Sequence, residues 1–120
     1  MFSAATAYAL GLGGLLIGAA ISVWILAAAT ATGRLGPNRF AGIRARSIMA
    51  SDTSWLVAHQ AAHRALQVAA VWLGTTGVLL AGFGRNADLL VLILIVGTSL
   101  VLGALARALV AATRAAKTAD

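Results

Sequence analysis

The sequence predicts an all-α membrane protein with three transmembrane helices, its N-terminus outside and its C-terminus cytoplasmic. Three observations carry that expectation. Hydrophobic residues make up 61% of the chain and charged residues 10%, which leaves too little polar surface for a water-soluble domain. Three stretches have no charged side chain: Met1 to Gly33, Ala65 to Gly84 and Leu89 to Ala106. Each is near or above the roughly 18 to 20 residues that cross a hydrocarbon core of about 30 Å. The basic residues are also sorted by side. Arg34, Arg39, Arg44, Arg46 and Arg64 lie between the first two spans, and Arg107, Arg114 and Lys117 follow the third. Only Arg85 falls elsewhere, in a loop it shares with Asp88. Positive residues accumulate on the cytoplasmic side, so the loop between the first two spans and the C-terminus are expected there, in a multi-pass membrane protein. Helices are expected throughout, because three segments cannot close a barrel and a lipid-facing backbone must satisfy its own hydrogen bonds.

The first helix is expected over about 7–29. Its Gly14 and Gly18 form a G-x-x-x-G that lets helix backbones approach closely, either within the chain or against a second copy. A cleavable signal peptide fits this region poorly, since no basic residue precedes the apolar run and the run is too long. Gly36 and Pro37 are expected to end the helix and turn the chain into a loop over 33–54.

The second helix is expected over about 53–83, starting before the membrane with Ser51 or Asp52 as its N-cap. At 100° per residue, Ala58, Ala61, Ala62, Ala65 and Ala69 share one arc. His59, Gln60, His63, Arg64 and Gln67 share the other, a polar face for headgroups, water or a partner. The short "GFGRNAD" turn forces the third helix, about 89–116 with a cytoplasmic extension, antiparallel to the second. Gly74 with Gly77, and Gly97 with Ala104, offer further points of close packing.

Several chemistries lack parts. There is no Cys and no Glu, and the carboxylate side chains are those of Asp52, Asp88 and Asp120. His59 and His63 are spaced i, i+4, as a metal site requires, but two ligands do not make a site, so no metal and no cofactor are expected. No nucleophile and base pair is evident, and the uncharged spans hold no acid or base for an ion relay. Nucleic acid is not expected either, since the net charge of +6 has no folded polar surface to sit on. The expected partners are membrane lipids with anionic headgroups, met by Arg34, Arg39, Arg46, Arg107, Arg114 and Lys117, and a protein partner or second copy within the membrane.

The loop and the start of the second helix carry one further pattern: Asn38, then Gly42-Ile43-Arg44, then Met49-Ala50-Ser51-Asp52, then Trp55 and His59. This constellation resembles the SdpI family of bacterial membrane proteins over about Pro37 to Ala62, with a matching layout of helices around it. The family pattern has Thr after Gly-Ile-Arg, where this chain has Ala45 and Arg46, so no hydroxyl role carries over. The resemblance implies a binding loop made of Asn38, Gly42, Arg44, Asp52, Trp55 and His59. It also implies a non-enzymatic role in toxin immunity or in signalling from the membrane, by analogy with the longer namesake of the family. Two alternatives stand beside it. One is a small accessory subunit packed on a larger membrane complex. The other is a lipid-handling protein that applies His59 and the loop arginines to a phosphate headgroup.

Overall fold

The computed structural model describes residues 3–119, and among these it contains three helices and no strand: α1 (Ala4–Ala31), α2 (Asp52–Phe83) and α3 (Ala87–Lys117). Each is long and apolar enough to cross a membrane, with mean hydropathy over its best stretch of 2.2, 1.6 and 2.8 respectively. The long axis of 57 Å exceeds a hydrocarbon core of about 30 Å, so part of the molecule stands outside it.

Side chains at the helix starts satisfy backbone N–H groups that have no partner inside the helix. Ser3 Oγ accepts from Thr6 N at 3.1 Å, and Asn86 Oδ1 accepts from Asp88 N at 3.0 Å and Leu89 N at 3.2 Å. At α2 the cap is Ser51, paired with Ser54 in a reciprocal box. The end of α1 differs from the expectation. Gly33, at φ 79°, takes the left-handed conformation three residues before Gly36, and Leu35 N closes the turn on Ala29 O at 3.0 Å. Gly36 and Pro37 therefore shape the loop that follows the helix, which has already ended.

Among the described residues α2 packs against both other helices, and α1 and α3 do not pack on each other. The α1–α2 seam is a backbone contact. A Cβ on Gly13 would stand 2.5 Å from Gly77 O, and one on Gly77 would stand 2.7 Å from Gly13 O. The expectation that Gly14 and Gly18 seat α1 on its own chain is thereby corrected. Both are exposed, and a Cβ on either meets nothing within 4 Å, because the rotation of α1 turns Gly13, Ala20 and Ala27 toward α2 instead. The α2–α3 seam uses small residues too: Ala58 and Ala62 face the stripe Ala108, Ala112 and Ala116, and Gly97 receives the side chain of Thr76. Large apolar side chains such as Leu15, Ile25, Val78, Ile95 and Leu102 stand on the outside, where a bilayer would solvate them.

The arcs expected on α2 are also revised. Ala58, Ala62 and Ala69 are buried as a packing face, but Ala61 is exposed. On the polar arc, Gln60 Nε2 donates to Ala31 O at 3.2 Å and His63 Nδ1 donates to Ala27 O at 3.1 Å. These side chains tie α2 to the end of α1, where the carbonyl of Ala31 has no helical donor. Headgroups and water are left with Arg64, Gln67 and the outer side of Gln60.

Candidate functional site

The segment between α1 and α2 folds back over the first turns of α2, and its shape starts at Asn38. The side-chain amide of Asn38 donates to Gly36 O at 2.8 Å and Ala41 O at 3.1 Å, while its oxygen accepts from Phe40 N at 2.9 Å and Ala41 N at 2.8 Å. One asparagine thus closes a tight turn by standing in for backbone partners. The turn delivers Gly42 at φ 101°, a conformation that side chains with a Cβ rarely adopt. A Cβ there would stand 2.5 Å from Trp55 Cη2 and 3.0 Å from His59 Nε2, so the glycine is needed for both its backbone and its lack of a side chain.

Under this turn lie Trp55 and His59, one helical turn apart on α2, with ring centroids 4.2 Å apart. Trp55 is 1% exposed, and its Nε1–H donates to Leu35 O at 2.9 Å. His59 is fully buried and both ring nitrogens are engaged. Nε2 accepts from Ile43 N at 2.9 Å, and Nδ1 lies 2.8 Å from Trp55 O. A backbone amide can only donate, so Nε2 carries the lone pair and Nδ1–H donates to the carbonyl: the ring is neutral in one defined tautomer. His59 precedes the uncharged span that starts at Ala65, and burial there lowers its pKa from the usual 6.5, opposed in part by the bond to Trp55.

A second strut comes from the α2 cap. Ser54 Oγ accepts from Ser51 N at 2.9 Å and donates to Ile48 O at 3.0 Å, fastening the descending chain to the helix start. Ile48, fully buried, then joins Trp55, Ala58 and Ala62 against Ala108, Ala112 and Ala116, so the end of α3 completes the core beneath the loop.

Of the six residues the resemblance singled out, the structure brings Gly42, Trp55 and His59 into contact, with Asn38 shaping the turn above them. Arg44 is exposed, and its Nη1 donates to Arg39 O across the loop. Asp52 is exposed in the first turn of α2, where it complements the helix dipole, and among the described residues its carboxylate bonds to none of the loop arginines. Ile43, Ile48, Ser54 and Leu35 also belong to the site but were absent from the expectation. Ile43 and Leu35 act through the backbone, which no side-chain pattern displays, whereas Ser51 and Ser54, three apart, were readable as a cap. His59 and His63 face different partners, and among the described residues no three His, Cys, Asp or Glu side chains gather as a metal site would require.

Two openings flank the cluster. On its outer side Pro37, Asn38, Arg39, Arg44 and Met49 line a groove. On its inner side a cleft of about 210 Å³ runs from Gly42, Ile43 and His59 between α1 and α3, walled by Leu26, Thr30 and Leu105. Arg34, Arg39, Arg46, Arg107, Arg114 and Lys117 are all exposed.

Comparison with known families finds a match over residues 34–112 to the SdpI/YfhL protein family. Comparison with curated proteins and with solved structures finds no match.

Proposed function

The chain belongs to the SdpI/YfhL protein family, and from that premise we propose that it is a bacterial inner-membrane protein acting by binding, in toxin immunity or membrane signalling, through the loop before α2. The observation that carries this reading is the division of labour in the loop. Asn38, Trp55 and His59 spend their polar groups on the chain itself, which leaves the histidine neither a free lone pair nor a free proton for a substrate. What the loop presents outward is Arg39, Arg44, Arg46 and Phe40, the last 90% exposed. A basic, aromatic surface ordered before binding loses little conformational entropy when a partner docks. The buried residues make the scaffold and the exposed ones make the contact.

In this reading the loop and the C-terminus are cytoplasmic. The chain has no cysteine, so single Cys substitutions at Arg46 and Asn86 report its orientation directly. An impermeant maleimide added to whole cells is expected to label the cysteine at position 86 and spare the one at position 46, and the opposite pattern would invert the topology. Deletion of the gene is expected to raise sensitivity to a secreted, envelope-active peptide. Complementation is expected to fail with Phe40→Ala/Arg44→Ala although the protein still reaches the membrane. Unchanged sensitivity on deletion, with no phenotype from the double variant, removes the proposal.

A second reading, a small subunit packed on a larger membrane protein, is favoured by the open face at Gly14 and Gly18. Mild solubilisation followed by native mass spectrometry separates the two, since a chain that emerges alone or as a homodimer argues against a larger host.

A further inference from the structure

The α1–α2 seam opens on one side into a groove that the motif does not use. Its larger part, about 530 Å³, lies between Ile21 and Trp24 of α1 and Val71 and Val78 of α2 and is almost wholly apolar. Toward the loop end it meets a second depression lined by Arg64, Gln67 and Trp72, and the two share Trp24 and Val71. The combined groove has a polarity gradient: a guanidinium and an amide at one end, two tryptophans beside them, and a slot of aliphatic side chains beyond.

Arg64 immediately precedes the uncharged span, which places it at headgroup level. It is exposed, and among the described residues its guanidinium makes no hydrogen bond or ion pair. Tryptophan rings favour the same boundary, and an apolar slot facing the bilayer excludes a water-soluble ligand. We propose that this groove binds one anionic phospholipid, with the lipid phosphate on Arg64 and an acyl chain laid along Val71 and Val78. Charge complementarity selects a lipid over a second copy of the chain. The described carboxylate side chains are Asp52, twelve residues before Arg64 on α2, and Asp88, beyond the far end of that helix. A copy docked in the same orientation brings neither to the level of Arg64. This site is separate from the loop and does not rest on the function proposed for it.

The test is native mass spectrometry of the full chain from micelles that offer phosphatidylglycerol and phosphatidylcholine with the same acyl chains. One phosphatidylglycerol is expected to remain on the wild-type protein. Arg64→Gln is expected to cut its retention about tenfold, the scale of one charge-assisted contact, and Arg64→Lys to keep most of it. Val71→Phe, which fills the junction of slot and headgroup end at an exposed position, is expected to cut retention without changing charge. Arg85→Gln, exposed in the turn between α2 and α3 and outside the groove, is expected to leave it intact. Equal retention of both lipids, equal losses from Arg85→Gln and Arg64→Gln, no effect of Val71→Phe, or a homodimer that carries no lipid would each overturn the site. Helical circular dichroism on every variant separates loss of the site from loss of the fold.

Discussion

At the loop end of the molecule, Ile48, Trp55 and His59 are fully buried and the polar groups of Asn38, Ser54, Trp55 and His59 all bond to the chain. At the turn end, helices meet through Gly13 and Gly77, through Gly84 beside Ala9, and through Gly97 beside Thr76, and among the described residues Leu80 is the one large side chain fully buried there. The loop cluster precedes the uncharged stretch of α2, whereas the glycine contacts all lie within uncharged stretches. Where water borders the protein, removing a tryptophan or isoleucine from it drives folding, so large residues make the core. In hydrocarbon that force is absent, and close backbone approach over small residues supplies the contact instead. The site therefore sits at the end where side-chain identity matters most, and the membrane half positions it.

The sharpest way to break this contrast is Gly42→Val. It combines a disfavoured backbone conformation with a Cβ directed into Trp55, and is expected to destabilise the protein by roughly 2–5 kcal/mol, read from thermal unfolding in detergent by circular dichroism. At the other end, Gly77→Val forces α1 and α2 apart and is expected to cost about 1–3 kcal/mol, whereas Gly14→Val stays within about 0.5 kcal/mol in the monomer. Equal effects of those two glycines would mean that the rotation of α1 is wrong. Trp55→Phe keeps an aromatic ring of smaller size but leaves Leu35 O without its donor, for an expected loss of at least about 1–2 kcal/mol. A shallower effect is expected from acid. Unfolded His59 takes up a proton near pH 6.5, while the folded ring, desolvated and already accepting from Ile43, resists it. The stability that depends on the neutral ring is complete above about pH 6.5 and is lost as pH falls below it. His59→Gln is expected to abolish that dependence and His63→Gln to preserve it, which melting temperatures across the pH range will show.

The uncharged runs were enough to place three helices, because span length follows from bilayer thickness alone: α1 extends only from the expected 7–29 to Ala4–Ala31. The motif from Asn38 to His59 was equally legible as a pattern of residue types. Its geometry was not. His59 read as part of an outward polar face, and it turns inward because the loop brings the amide of Ile43 over its ring. Arg44 and Asp52 read as members of one cluster, yet both are exposed and the contact core is Gly42, Trp55 and His59. Gly14 and Gly18 matched a packing motif, but the neighbouring Gly13 makes the contact.

Composition and periodicity by themselves thus determined that this chain is a three-helix membrane protein with a special loop after its first helix, since hydropathy and turn chemistry are local properties. Only the tertiary structure decided which face of each helix is the seam and which motif side chains are scaffold or surface. Those outcomes depend on the rotation of each helix about its axis and on backbone donors and acceptors from residues 16 to 20 positions away, such as Ile43 to His59 and Leu35 to Trp55. A string of side chains does not encode either one locally.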